Sequence, residues 1–241
     1  MKIRSSLITN TIILCLFLGT VALFSVGCSD DNSGNETPGG GTEEGDVPAG
    51  GEDSGGDGGS SIDRDIGDNN PDLMIAIGDS VTAGSETPGP GYPERLAGLI
   101  GKTVRNSGRR GAFSSSAGGH AAGALGSKPA YLLIMYGTND TLQEIAPSVV
   151  AGNIRAAVRA AKANKTIPVV ASFPPVLRSD FLKDFSQSVN QAIRSMANSE
   201  GAIFVDAARE FSGPGLYNDD LFHPNDTGNQ AIAFAFANRL P

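Results

Sequence analysis

The chain has 241 residues, with 26 acidic against 18 basic side chains, two cysteines and no tryptophan, and a formal charge of −8. That length holds one domain of ordinary size with some chain to spare. The acidity is uneven: residues 29–72 carry thirteen Asp and Glu against one Arg (Arg64), leaving thirteen acids and fifteen bases for 73–241. A near-neutral folded part excludes the basic footprint that nucleic-acid binding needs.

Taken in order, Met1 to Gly27 has a basic start (Lys2, Arg4) and then an apolar run from Ile12 to Val26, the pattern of a secretory signal peptide. The run is too short to span a bilayer comfortably, which takes roughly 20 apolar residues. It closes on Ser25-Val26-Gly27-Cys28, which resembles a bacterial lipobox, although Ser25 stands where that motif usually has leucine. The resemblance implies cleavage before Cys28, lipidation of Cys28 and a membrane contact through that anchor alone. Ser29 after the cysteine, rather than aspartate, points to the outer membrane; plain secretion into the periplasm or medium is the alternative. Cys15 lies inside the signal, so the exported domain contains no disulfide and its stability has to come from packing.

Residues 28–72 are Gly, Asp, Glu, Ser, Pro and Asn with almost no large apolar side chain. Such a segment buries too little surface to offset the entropy of ordering and is expected to be a disordered tether. The acidic run from Gly51 to Asp57 has no spacing that makes a metal loop.

Residues 73–241 are expected to fold as one domain. Leu73-Met74-Ile75-Ala76-Ile77 reads as a buried strand, and Gly78-Asp79-Ser80 as the tight turn that ends it. A Gly/Pro loop (84–91) leads to a helix over 92–100 and a strand over 102–106. Residues 107–128 are read as a long Gly/Ser/Ala loop with a short helix at 121–125. Residues 131–136 form the clearest strand.

Helix 147–163 has Val149, Val150, Ile154, Ala157, Val158 and Ala161 on one stripe. Strand 167–173, helix 179–198 and strand 202–206 follow. A final helix runs over 226–240 with Asp226 as its cap. Five apolar strands alternating with helices predict an α/β fold, a parallel sheet covered on both faces.

Three short polar signatures follow strands: Gly78-Asp79-Ser80, Gly137-Thr138-Asn139-Asp140 and Asp220-Leu221-Phe222-His223. Parallel strands put their carboxyl ends on one side, so the three converge on one rim. A serine hydroxyl is a weak nucleophile until a base adjoins it, and the base needs a carboxylate to fix its tautomer. Ser80, His223 and Asp220 supply that set, with Asp219 as the other candidate carboxylate. The three-residue spacing lets a turn set Asp220 against one ring nitrogen of His223.

His120, among Gly118, Gly119 and Ala121 and without a nearby acid, is read as an exposed loop residue. Candidate oxyanion donors are the Ser80 amide, a glycine amide from the loop after the second strand, and the Asn139 side chain. Phe113, Phe181, Phe211, Tyr217 and Phe222 are candidates for an acyl pocket, with burial in the core as the commoner use of such side chains.

Together with Val81-Thr82-Ala83-Gly84, Val104 to Gly111 and Pro224, these blocks resemble the SGNH (GDSL) hydrolase family over the whole of 73–241. The resemblance implies a three-layer, flavodoxin-like SGNH hydrolase fold, a five-stranded parallel sheet of order 2-1-3-4-5. It also implies Ser80 as nucleophile, Asp220 and His223 completing the triad, and Ser80, Gly111 and Asn139 lining the oxyanion hole. Gly111, rather than Gly108, lies five residues after Asn106, as that family's donor glycine does.

The expected activity is carboxylic ester hydrolysis through an acyl-enzyme, with no metal and no cofactor, on a small-molecule, lipid or glycan ester. Polysaccharide O-acetyl esterase at the cell envelope and a non-catalytic binding lipoprotein are the alternatives. Ala112-Phe113 replaces the polar pair that follows the donor glycine in the lysophospholipase and thioesterase branch. Substrate identity therefore does not carry over from that branch. Competing motifs fail: a phosphate-binding loop ending at Gly101-Lys102-Thr103 would need glycine at Leu96, and a Gly-x-Ser-x-Gly elbow would need it at Thr82.

Overall fold

The computed structural model describes residues 65–240. Five parallel strands make one sheet: β1 (Asn70–Gly78), β2 (Thr103–Asn106), β3 (Pro129–Met135), β4 (Ile167–Ala171) and β5 (Ile203–Val205), in the order β2-β1-β3-β4-β5. β1 sits beside both β2 and β3, with Met74 level with Val104 on one side and Tyr131 on the other. Chain order therefore reverses at β1, and its carboxyl end opens at the switch point where α/β sheets take their ligands. From Leu73 onward β1 is fully buried, as a central parallel strand with helices on both faces must be.

The helices are α1 (Ser80–Ala83), α2 (Tyr92–Ile100), α3 (Ala117–Leu125), α4 (Thr138–Leu142), α5 (Pro147–Ala163), α6 (Asp180–Ser199) and α7 (Asp226–Ala237). α2 and α7 pack against each other, with the Tyr92 and Phe236 rings stacked 5.2 Å apart. α3, α5 and α6 form a second contiguous layer. Val150, Ile154, Ala157, Val158 and Ala161 of α5 are buried at helical spacing.

Several expectations need correction. β1 begins at Asn70, so the expected domain start at 73 falls inside the strand. Asn69 is also buried, its amide donating to Asn164 O and Thr166 Oγ1. The remainder of the expected tether, 28–64, lies outside the described residues, as do the signal peptide and Cys28.

Val149 is 51% exposed because it belongs to the first turn of α5, outside the buried stripe. The cap of α7 is Asn225, whose Oδ1 accepts from Gly228 N at 3.0 Å, while Asp226 pairs with Arg95. α3 starts at Ala117, four residues earlier than expected, and this places Ala117, His120, Ala121 and Leu125 on its inner face. His120 is therefore a buried residue of α3. Its Nε2 meets Ser107 Oγ at 3.0 Å and its Nδ1 meets Tyr136 OH at 2.6 Å.

Candidate active site

Ser80 opens α1 immediately beyond the carboxyl end of β1 and is 6% exposed, so its hydroxyl is tucked beneath the rim rather than standing out from it. Asp79 caps that helix, its Oδ1 accepting from Val81 N at 2.9 Å. The chain then turns through Gly84 in the left-handed conformation, so the four-residue helix serves to aim one side chain.

His223 arrives from the opposite end of the sequence. Its Nε2 lies 2.9 Å from Ser80 Oγ and its Nδ1 lies 2.6 Å from Asp220 Oδ2. Asp220 Oδ1 accepts from the amides of Phe222 and His223 at 3.1 and 3.0 Å. One carboxylate thus holds both the turn and the ring. Burial alone raises the Asp220 carboxyl, but the hydrogen bonds from the His223 amide and ring and from the Phe222 amide outweigh it and keep the group below its ordinary range. Asp219, the other candidate, is exposed.

The turn itself is clipped from outside. Leu177 N donates to Leu221 O at 2.8 Å, Arg178 Nε donates to Asp220 O at 3.1 Å, and the Arg178 guanidinium stands 4.3 Å over the Phe222 ring. Phe222 in turn packs 4.1 Å from the His223 ring. Leu221 takes a φ of +62, a conformation that a β-carbon disfavours, and this clip helps to hold it there.

Gly111 and Asn139, two of the expected oxyanion residues, come together where a second loop meets α4. Gly108 lets that loop lie directly on α1, since a β-carbon there would come within 2.2 Å of Ala83 N. The Gly108 amide is taken by Asn106 Oδ1 at 3.0 Å, whereas no acceptor among the described residues takes the Gly111 amide. Gly111 sits at φ +70. Asn139, on the first turn of α4, donates through Nδ2 to Ala112 O at 3.0 Å and so is joined to the residue next to Gly111.

Residues to which the sequence reading gave no role fasten this loop. Asp140 is buried and binds Ser114 with both carboxylate oxygens, and Asn153 of α5 donates to Ser114 Oγ at 3.0 Å. The Asp140 that follows Asn139 was the only sequence signal for this anchor.

Asp79 keeps one orphaned atom. Its Oδ2 is buried without a hydrogen-bond partner, as is Thr138 Oγ1 beside it. Burial pushes its carboxyl up to about 7, the hydrogen bond from the Val81 amide pulling it partly back.

Of the aromatic candidates for an acyl pocket, Phe211 and Tyr217 are buried in the core, Phe113 and Phe181 are exposed, and Phe222 is packed on His223. The mouth beside Asp220 and His223 is a cavity of about 630 Å³ whose other lining residues are Glu86, Asn218, Asp219 and Asn225, with Tyr217 as its one aromatic wall; Ser80, Gly111 and Asn139 do not line it. Its walls are mostly polar.

The model of the GDSL-like Lipase/Acylhydrolase family matches residues 76–231. The chain belongs to the GDSL-like lipase/acylhydrolase family. Membership makes it a carboxylic ester hydrolase, and its sheet order is that of the SGNH hydrolase fold.

Among solved structures it resembles a G-D-S-L family protein from Desulfitobacterium hafniense DCB-2 at 22% identity and a TM-score of 0.63, over 70% of this chain and 99% of that one. It also resembles a lipolytic G-D-S-L family member from Veillonella parvula DSM 2008, at 21% identity and a TM-score of 0.59, over 68% and 94% of the two chains. A third is a catalytic mutant of an acetylxylan esterase from Geobacillus stearothermophilus, at 18% identity and a TM-score of 0.63, over 71% and 94%. No curated protein matches the sequence.

Proposed function

We propose that this GDSL-family hydrolase is a serine esterase that works through an acyl-enzyme, with Ser80 as nucleophile, His223 as base and Asp220 as the carboxylate that fixes the ring. The observation that carries the reading is the continuous chain of contacts Ser80 Oγ, His223 Nε2, His223 Nδ1, Asp220 Oδ2, at 2.9 and 2.6 Å. Ser80 Oγ adds to the ester carbonyl as its proton passes to Nε2. The tetrahedral oxyanion is received by the amides of Ser80 and Gly111 and by Asn139 Nδ2. Collapse expels the alcohol, which takes the proton from Nε2 and leaves Ser80 acylated. Water, deprotonated by the same nitrogen, then releases the acid. Each oxyanion donor lowers the barrier by roughly 2.7–4 kcal/mol.

A narrower reading is favoured by the mouth. On the Asp220–His223 side, Glu86, Asn218, Asp219 and Asn225 offer polar groups that suit a hydrophilic alcohol. The fold's likeness to an acetylxylan esterase is consistent with an O-acetylated glycan. Export on a lipid anchor at Cys28, with residues 29–64 as tether, would carry such an esterase to surface polysaccharide.

The full chain is tested against p-nitrophenyl acetate, p-nitrophenyl palmitate, an acetylated xylo-oligosaccharide and a lysophospholipid. Turnover of the two acetyl esters well above the long-chain pair supports the glycan reading, and the reverse order overturns it. Absence of any turnover above that of Ser80→Ala would leave the non-catalytic alternative.

A further inference from the structure

We propose that the groove between α6 and the segment 208–214 is a second binding site, for an acidic oligosaccharide. The groove is a cavity of about 620 Å³, within the range of small-ligand sites. Ser172 and Asp206, immediately after β4 and β5, lie at its base, so it opens on the same rim of the sheet as the triad. It is nevertheless separate from the catalytic mouth. The Tyr217 hydroxyl, on the mouth side, donates to Pro175 O on the groove side at 2.7 Å, and the Tyr217 and Phe211 rings pack 5.0 Å apart to complete the wall.

One side of the groove is a stripe of α6. Lys183, Gln187, Gln191 and Arg194 all line it, and their spacings of four, four and three residues put them on one helical face. At about 1.5 Å of rise per residue the stripe is about 16 Å long, a length that takes a short oligomer rather than a single ring. Arg209 faces it from the other side.

The charge is lopsided. The lining has three cations, Lys183, Arg194 and Arg209, against one carboxylate, Asp206. That carboxylate is already engaged by Arg194 and by Ser172 Oγ. Neither Lys183 nor Arg209 makes an ion pair among the described residues. The nearest acids along the chain, Asp180, Asp184 and Glu210, are exposed and do not line the groove.

Cations spread over the length, with side-chain amides between them, match a chain with one carboxylate per unit and hydroxyls between. They do not match a single concentrated anion. Phe204, under the Arg194 guanidinium at 4.6 Å, and Phe211 form the buried apolar floor beneath these polar groups. The site is independent of the esterase reading and is tested without reference to turnover.

The full-chain protein is titrated calorimetrically with trigalacturonate and with neutral galactotriose, at low and at high salt. The same titration is run on Lys183→Gln/Arg209→Gln, whose thermal midpoint reports that it is folded. The acidic trimer is expected to bind, and more weakly as salt rises. The neutral trimer should bind at least about tenfold more weakly, and the double variant should lose about tenfold in affinity for the acidic one. Equal binding of the two trimers, unchanged affinity in the double variant, or no heat at millimolar trigalacturonate would overturn the proposal.

Discussion

Asp140 grips Ser114 with both ends of its carboxylate, Oδ2 accepting from the Ser114 amide at 2.9 Å and Oδ1 from the Ser114 hydroxyl at 2.7 Å. The pair is buried, and it ties the turn of α4 that carries Asn139 to the loop that carries Gly111. The two residues proposed as oxyanion donors, on separate elements, are thereby held in one geometry.

Replacing Asp140 with alanine leaves two buried donors without an acceptor, and each orphaned group costs about 1–3 kcal/mol. The thermal midpoint of Asp140→Ala should fall accordingly. Because small displacements of catalytic groups are expensive, kcat for p-nitrophenyl acetate should drop by about 10²-fold, with KM changed far less. An unchanged kcat in a folded Asp140→Ala protein would show that the loop holds its place without this anchor.

Asp79 gives a pH dependence of known sign. Its folded-state pKa, about 7, lies above the ordinary aspartate value of 3.8. The folded protein therefore keeps a proton that the unfolded chain releases, and stability is lost as pH rises from about 4 to about 7. Asp79→Asn mimics the protonated form and can still accept from the Val81 amide. Its stability relative to wild type should rise across that window, by an amount of the order of a few kcal/mol, as read by urea unfolding at a series of pH values.

His120 works in the opposite direction. Burial, and secondarily the charge of Arg109, lower its imidazole to about 4, so between about pH 6.5 and pH 4 the unfolded chain binds a proton that the folded one refuses. Stability is lost as pH falls through that window. The two effects overlap and partly cancel in the wild type. Asp79→Asn should therefore show a steeper acid-side loss than wild type, and His120→Gln a shallower one. Parallel curves for wild type and His120→Gln would contradict a neutral, buried His120.

The triad turn makes a prediction about roles. Asp220→Asn keeps an acceptor for the two turn amides but removes the charge that steadies the imidazolium. Its kcat should fall by about 10³–10⁴-fold, while the thermal midpoint changes little. Asp219→Asn alters an exposed residue of the same mouth that makes no contact with the His223 ring, so its kcat should fall far less than that of Asp220→Asn. Similar losses in both variants would argue that the turn, rather than the Asp220 carboxylate, is what matters.

Four of the five strands were legible because each contains a short apolar run closed by glycine or a polar turn, β2 with its Thr, Arg and Asn being the exception, and the Asp220–His223 contact was legible because the two residues lie three apart. The parts that were not legible share physical causes. The first three residues of β1, Asn70, Pro71 and Asp72, are exposed and include no large apolar side chain, so composition assigns them to the tether. α1 is four residues long, little more than one helical turn, so no hydrophobic repeat can show in it.

α3 contains Gly118, Gly119 and Gly123, which weaken helix propensity, and its inward His120 is satisfied by Ser107 and Tyr136, residues remote enough in sequence to give no local signal. The anchoring of the Gly111 loop by Asp140 and Asn153 depends on how α4 and α5 pack, which no spacing along the chain encodes. The first cap of α7 went to Asp226 instead of Asn225 because adjacent Asn and Asp are equally good caps, and only the ion pair with Arg95 separates them.

The most direct measurement is reaction of the full chain with a fluorophosphonate probe, followed by intact mass and peptide mapping. A single adduct on Ser80 is expected, absent in Ser80→Ala and formed far more slowly in His223→Ala. No adduct on the wild-type protein, or an adduct on another residue at the same rate in all three, would contradict a hydroxyl activated by the His223–Asp220 pair.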